Sequence, residues 1–424
     1  MTVLNVGSDQ QFQHIADAIR ASQDGDVVNV QAGTYVNDFA TIDTKISING
    51  IGGMAHLLAT VAPPDGKAIL TTNTDLSIDH LEFSGAQVSD QNGAGIRYQG
   101  GNLTVTNSYF HDNQNGILGG AAPNGTISIS TSEFDHNGAG DGYSHNIYIG
   151  DIANLSIDRS YFHDAVVGHE IKSRAEQTTI TNSRIQDGPS GTASYSIDVP
   201  QGGLTLIQNN VIEQGPQSQN PNIIAYGEEG NLHANSTLNI VGNTILNDLP
   251  SGSARAVWNA TSTPATLTDN SFYGLSDSQI VNGPANVSGS TTLSSEPALD
   301  TSSPVTTTTS SPGDTLVLHL SEDAWNGDAQ FIASVDGNGL GAAQSVTALH
   351  GLGQSQDFAF KDQFGSGQHD LKISFINDAY GGTPDTDRNL YVDSVDFNGT
   401  HYAAATAPLY SNGTVQFLIG VPTT

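Results

Sequence analysis

The chain has 424 residues, with 12 Lys+Arg against 43 Asp+Glu, a formal net charge of −31 and no Cys. That balance excludes nucleic acid as a partner, because phosphate is repelled, and the missing Cys excludes disulfides and thiolate metal sites. No stretch approaches the length of an apolar bilayer-spanning helix, so no membrane insertion is expected, while 47 Gly and only 13% charged residues point to a turn-rich, all-β chain of two or three domains.

The opening Met-Thr-Val-Leu-Asn-Val-Gly has neither the basic nor the apolar region of a standard secretory signal. With the acidic balance, this leads to the expectation of a secreted, extracellular protein exported by a one-step, type I-like route without a cleaved N-terminal signal. Phe12, Ile15, Ala16, Ala18 and Ile19 follow at helical spacing. A short amphipathic helix there would cap the open end of a sheet stack. Asp24-Gly25-Asp26 then turns the chain into Val27-Val28-Asn29-Val30, followed by Gly33-Thr34-Tyr35.

From residue 76 the chain repeats. Leu76-Ser-Ile-Asp-His-Leu-Glu-Phe83, Leu103-Thr-Val-Thr-Asn-Ser-Tyr-Phe110, Ile127-Ser-Ile-Ser-Thr-Ser-Glu-Phe134, Leu155-Ser-Ile-Asp-Arg-Ser-Tyr-Phe162 and Thr178-Thr-Ile-Thr-Asn-Ser-Arg-Ile185 are one motif. Ile212, Ile245 and Phe272 continue it, with anchor-to-anchor steps of 27, 24, 28, 23, 27, 33 and 27 residues. A strand-bearing period in the twenties predicts a parallel β-solenoid over residues 1–287. Ser108, Ser132, Ser160, Ser183, Asn210, Asn243 and Asn270 should stack at one bend, where polar side chains can hydrogen-bond from coil to coil. The N-terminal pattern resembles the start of pectate-lyase-like right-handed β-helices. The resemblance implies a right-handed parallel β-helix with an N-terminal capping helix.

A second strand of each coil aligns on its apolar centre at Ile96, Ile117, Ile147, Ile171, Ile197, Ile224 and Val257. Neighbouring residues should then face outward, coil above coil, about 4.8 Å apart. One expected outward column is Gly95, Gly116, Asn146, Glu170 and Ser196. The next is Arg97, Leu118, Tyr148, Lys172, Asp198, Ala225 and Trp258. Arg174 lies just beyond, and His145, His169 and Tyr195 stand at the strand start. Period-two alternation puts Glu170, Lys172 and Arg174 on one face. Four of the 12 basic residues fall between Arg159 and Arg184.

Such a face reads as a groove wall. An ion-pair ladder, Lys172 over Asp198 with Arg174 against an acid of a neighbouring loop, is the alternative, though exposed pairs are worth only about 0–1 kcal/mol. Arg and Lys together suit a uronate, whose carboxylate must be neutralised before its C5 proton leaves. Lys172, Tyr148, His169 or His145 would move the proton, and Arg174, or Ca2+ held by Glu170 and Asp198, would neutralise the carboxylate. Arg97, Tyr195 and Trp258 are candidates for sugar contact. The expected activity is β-elimination by a polysaccharide lyase. Hydrolysis by the Glu170/Asp198 carboxyl pair and a non-catalytic glycan-binding role are the alternatives. The block from His145 to Gly230 resembles bacterial right-handed β-helix proteins. It lacks the calcium-binding Asp motif of classical pectate lyases and the Asp-Pro-His motif of alginate epimerases, and its Lys/Arg pair is similar, at different spacing, to that of chondroitinase-B-like lyases.

Residues 288–312 are rich in Ser, Thr and Pro and read as a linker. From residue 313 onward, alternating strands without a coil repeat predict a β-sandwich, jelly-roll-like. Ser321-Glu-Asp-Ala-Trp-Asn-Gly-Asp-Ala-Gln-Phe331 and Asn377-Asp-Ala-Tyr-Gly-Gly-Thr-Pro-Asp-Thr-Asp-Arg-Asn-Leu-Tyr391 are carboxylate-rich loops of the kind that supply calcium with oxygens. Both runs resemble calcium-dependent xylan-binding modules. The resemblance implies a Ca2+ cofactor, a polysaccharide partner, and ligands among Asp323, Asp328, Asp378, Asp385 and Asp387. Trp325 and Tyr380 are candidate sugar-stacking rings.

Overall fold

A computed structural model describes residues 2–420 except 251, 306–313, 337, 341–342, 363, 365–367 and 384–385. The chain forms two compact units, Met1–Thr309 and Ser310–Thr424.

The first unit is the expected parallel β-solenoid. A ten-stranded sheet takes one strand per coil, from Ala40–Ile42 to Val281–Asn282, and the other strands of each coil join a 21-stranded sheet. The pairings between coils are parallel, with register shifts only at Ala122/Thr126 and Gln31/Gly33 among the described residues, and the anchors align: Phe83 opposes Phe110, Phe110 opposes Phe134 and Phe134 opposes Phe162. Their rings stack with centroids 4.7, 4.7 and 4.6 Å apart, one coil spacing each. Ile185, Ile212, Ile245 and Phe272 continue the line without exposure. Offset aromatic contact of this kind adds to the area buried by each ring.

The bend column also forms. The amides of Leu81, Ser108, Ser132 and Ser160 donate to the hydroxyls of Ser108, Ser132, Ser160 and Ser183 at 3.1–3.2 Å. Those of Ser183, Asn210 and Asn243 donate to the side chains of Asn210, Asn243 and Asn270 at 2.8–2.9 Å. Ser290 closes the series, accepting from the Asn270 amide at 3.3 Å. The residue before each rung turns through positive φ, including Asn107, Thr131, Arg159, Asn182 and Asn209. Hence Asn precedes so many of the rungs: its short amide tolerates the left-handed region.

The helix is Ile15–Ala21, with Ile15, Ala18 and Ile19 buried. Asp38 accepts from the free amides of Ile15 and Ala16 at its start, at 2.6 and 3.0 Å. The segment expected as linker is partly solenoid. Ala285–Ser288 and Thr291–Thr292 pair with the preceding coil, and the Arg184 guanidinium donates to the carbonyls of Asp300 and Ser302.

The second unit is an antiparallel sandwich. A six-stranded sheet centred on Asp314–Asp323 and Asp387–Phe397 and a five-stranded sheet centred on Gln330–Val335 and His369–Phe375 enclose one core that includes Leu318, Phe331, Ile373 and Leu390. The two carboxylate-rich loops leave the ends of these strands.

Candidate functional site

The register of the ten-stranded sheet builds the expected outward column. The inward centres Ile96, Ile117, Ile147, Ile171, Ile197, Ile224 and Val257 oppose one another from coil to coil and are fully buried. The outward column follows the same pairings: Arg97, Leu118, Tyr148, Lys172, Asp198, Ala225, Trp258.

The other expected outward column faces inward. A Cβ on Gly95 would lie 2.8 Å from the Phe110 ring, and one on Gly116 would lie 2.8 Å from the Phe134 ring. Glu170, next in this column, is fully buried. Its carboxyl accepts from Asn146 Nδ2 and, at 2.9 Å, from the Ala165 amide. Burial first, then the charge of Asp187, pushes it well above the usual carboxyl range. The strand is only Ile171–Ser173, so Glu170 sits in the bend before it and period-two alternation does not reach it. Glu170 is therefore corrected from a groove acid to a corner residue. It ends a second interior ladder of Asn113, Asn137 and Asn146. The proposed Glu170/Asp198 pair is not presented to a common substrate, and neither is a calcium held by those two acids.

Four other expected residues do meet. Lys172 Nζ lies 2.8 Å from Asp198 Oδ2 and 3.8 Å from Glu229 Oε1. Arg174 grips Glu229 with two nitrogens, Nε to Oε2 at 2.9 Å and Nη2 to Oε1. Its guanidinium lies 4.9 Å from the Tyr148 ring centre, a cation–π distance. Arg174 Nη1 is buried without a partner. An orphaned buried donor in a groove is an opening for a ligand oxygen.

The two His residues form one wall. Their rings stack at 4.5 Å, His145 lies 5.7 Å from the Tyr148 ring, and Tyr195 meets His169 edge-on at 4.9 Å. Backbone amides fix their tautomers. The His169 amide donates to His145 Nδ1 at 2.9 Å, and the Tyr195 amide reaches His169 Nδ1 at 3.4 Å. Each ring is thus an acceptor at Nδ1 and carries its proton at Nε2. His169 Nε2 lies 3.3 Å from Asp198 Oδ2. Burial, with His169 and Lys172 beside it, pushes His145 well below the usual imidazole range, and burial also lowers His169.

Sequence reasoning missed the roles of Glu228 and Glu229. Both sit in the turn after Asn222–Tyr226, between Gly227 and Gly230, which have φ of 78° and 81°. A turn has no column to align, so only their charge could have flagged them. Burial and the neighbouring carboxylate of Asp198 raise Glu228. Burial would raise Asp198 too, but His169, Glu228 and Lys172 outweigh it and hold Asp198 below its usual range. The two carboxyls are thus shifted in opposite directions, Glu228 up and Asp198 down. Arg97 and Trp258 are half-buried at the two ends of the column.

In the second unit the expected ligands are less gathered. Among the described residues, no three carboxylates of Asp323, Asp328, Asp378 and Asp387 lie within 4.8 Å of one another. Asp385 lies outside the described residues. Asp323 accepts from the Tyr391 hydroxyl at 2.6 Å and from Asn389 Nδ2 at 3.3 Å, whereas Asp328 is exposed. Glu322 Oε1, Asp378 Oδ1 and Asn389 Oδ1 are buried with no hydrogen-bond donor. Such orphaned oxygens are of the kind a hard cation such as Ca2+ takes; Glu322 and Asn389 sit in the two paired central strands beside Asp323 and join the candidate ligands. The loop carbonyls do not: those of Trp325, Asn326, Gly327 and Asn377 accept from the buried Arg388 guanidinium. Trp325 packs on Gly381, where a Cβ would come within 2.6 Å of its ring, and Tyr380 is 63% exposed. Tyr380 alone presents a free ring.

No curated protein matches the chain in sequence. Among solved structures it is similar to the pectate lyase Pel9A, at 14% identity and TM-score 0.41 over 68% of this chain and 78% of that one. An alginate lyase from Paenibacillus sp. str. FPU-7 aligns at 15% identity and TM-score 0.44, over 68% and 99%. The mannuronan C-5 epimerase AlgE6 A-module of Azotobacter vinelandii aligns at 16% identity and TM-score 0.30, over 66% and 94%. Residues 315–412 match the family of Ca-dependent, xylan-binding carbohydrate-binding modules, CBM60.

Proposed function

We propose that the protein is a secreted polysaccharide lyase. It binds a uronate-containing glycan along the groove and cleaves it by β-elimination, while the C-terminal module holds the polysaccharide. One observation carries this reading: the grip of Arg174 on Glu229. Glu229 is an exposed carboxylate on a Gly-flanked turn. It stands in for a substrate carboxylate, offering two oxygens to a fork of donors. When a uronate displaces it, Arg174 and Lys172 neutralise the sugar carboxylate and so acidify C5.

The C5 proton passes to the Tyr148 oxygen, whose ring lies against the Arg174 guanidinium. The electron pair forms the C4–C5 double bond, the bond from C4 to the bridging oxygen breaks, and Glu228 returns a proton to that oxygen. Lys172, paired to Asp198, is a binding cation in this scheme rather than the base. The split between Asp198 and Glu228 favours a second reading, hydrolysis, because two carboxyls driven apart in proton affinity are a recurrent acid/base arrangement.

Digestion of a panel of acidic and neutral polysaccharides tests the reading. New ultraviolet absorbance from the conjugated double bond marks elimination, and new reducing ends without it mark hydrolysis. Lys172→Ala should abolish turnover and also lower the melting temperature, because it leaves the buried Asp198 carboxylate without its cation; retained turnover would sink its binding role. Glu229→Ala should lower KM, since the stand-in is gone; a raised KM sinks the carboxylate-exchange idea. In the module, Asp323, Glu322, Asp378 and Asn389 would hold Ca2+, which supplies a charge for sugar hydroxyls. Chelation should weaken glycan binding by the full chain, leaving only what the solenoid holds, and unchanged binding would refute the metal assignment.

A further inference from the structure

The outer face of the 21-stranded sheet carries a second cluster, unrelated to the groove. Strand registers place His56 opposite Glu82 and His111 opposite Ser84, on three successive coils. Glu82 Oε1 lies 3.5 Å from His56 Nδ1 and 3.0 Å from His111 Nε2. The three ligand atoms all lie within 4.8 Å of one another. Zinc bonds of about 2.0–2.1 Å to nitrogen and oxygen put neighbouring atoms of a tetrahedron about 3.3 Å apart. The two measured edges straddle that value.

The remaining ring nitrogens are also engaged. His111 Nδ1 meets Asp112 Oδ2 at 2.7 Å, and His56 Nε2 meets Ser84 Oγ at 2.7 Å. A carboxylate behind a ligating imidazole fixes its tautomer and raises its basicity, which is the usual second layer of a zinc site. We propose that His56, Glu82 and His111 form a binding site for a divalent transition-metal ion of the zinc type, with the fourth position open. The three side chains are 21%, 24% and 18% exposed, so an ion can enter and water can complete its shell. Two imidazoles and a single carboxylate select zinc over calcium, which requires six or more oxygens.

A second cluster, around His163, resembles the first but lacks its chemistry. His163 Nε2 meets Glu133 at 3.0 Å, while Asp135 and Asp164 both crowd Nδ1, at 3.2 and 2.8 Å. One imidazole donates to three acids there, which is the arrangement of a charged clamp. The first cluster offers two imidazoles to one shared oxygen.

Calorimetric titration of Zn2+ into the full chain, with Ca2+ in excess to fill oxygen sites, should give one Zn2+ per chain. His56→Ala and His111→Ala should each lose it, and Asp112→Asn should weaken it about 10–100-fold. No uptake by the parent protein, uptake unchanged in both His variants, or loss only in His163→Ala overturns the proposal. Should the variants fail to fold, the parent still decides. Mass-spectrometric mapping of diethylpyrocarbonate modification should show His56 and His111 shielded by Zn2+, and equal labelling with and without the ion overturns the site.

Discussion

At the residue scale, what was legible depended on whether a residue lay in a strand. Lys172, Tyr148 and Asp198 could be placed in one column from sequence, because each sits at the centre of a short strand whose inward neighbours repeat. Glu170 could not, since the bend turns two consecutive side chains inward and alternation says nothing about bends. Thr131 shows the cost of those bends. It has φ of 46° and is β-branched, a left-handed conformation that L-residues adopt at a penalty of about 1–2 kcal/mol. Asn107, Asn182, Asn209 and Gly242 hold that position in four other coils, and none of the other residues found there is β-branched. Thr131→Asn is therefore expected to stabilise the solenoid by about 1 kcal/mol in urea unfolding; an unchanged or lowered midpoint would mean that the threonine methyl is held by contacts worth as much.

At the element scale, the coil is the unit, and its polar rung matters as much as its aromatic one. Asn210 is 1% exposed. It accepts from the Ser183 amide at 2.8 Å and donates to the Ile180 carbonyl at 2.9 Å and to Asn243 Oδ1 at 3.0 Å. Asn210→Ala leaves those partners buried and unpaired, which costs about 1–3 kcal/mol for each group left without a bond. Asn210→Ser, the residue used by the four preceding rungs, keeps the acceptor and should cost less; equal losses in thermal unfolding would contradict the ladder's role. Coil length and rung positions were readable because they recur. The sandwich strands were readable from alternation, whereas Glu322 and Asn389, with their unpartnered oxygens, were not singled out. Carboxylates in loops carry no period, and nothing in the sequence shows that Arg388 takes up the loop carbonyls of Trp325, Asn326, Gly327 and Asn377.

At the scale of the whole molecule, a net charge of −31 is held alongside several acids that resist ionisation. Burial raises Asp187 and Glu213 to about 7 each. His163 is raised to about 10: burial opposes its charge, but Asp164, Glu133 and Asp135 outweigh it. The raised carboxyls hold protons that the unfolded chain has already released, so stability falls as pH rises from the ordinary carboxyl range to about 7. His163 contributes fully below its unfolded value of 6.5, and that contribution is lost as pH climbs to about 10. All three act in the same direction. The melting temperature of the solenoid should fall steadily between about pH 6 and pH 9, and Asp187→Asn should flatten the lower part of that slope. A profile that rises across this window would show that these groups do not govern it.

The polar ladder also has a direction, and that matters during biosynthesis. Each bend amide looks toward the C-terminus for its acceptor, from Leu81 to Ser108 at one end and from Asn270 to Ser290 at the other. A ribosome releases coils in that same order. The leading edge of a nascent chain is therefore always a finished coil with one unanswered donor and a row of open strand groups, ready for the next coil and equally ready for a neighbouring molecule. Only the final turn around Ser290 ends that readiness, so premature termination would release not a shorter rod but an adhesive one.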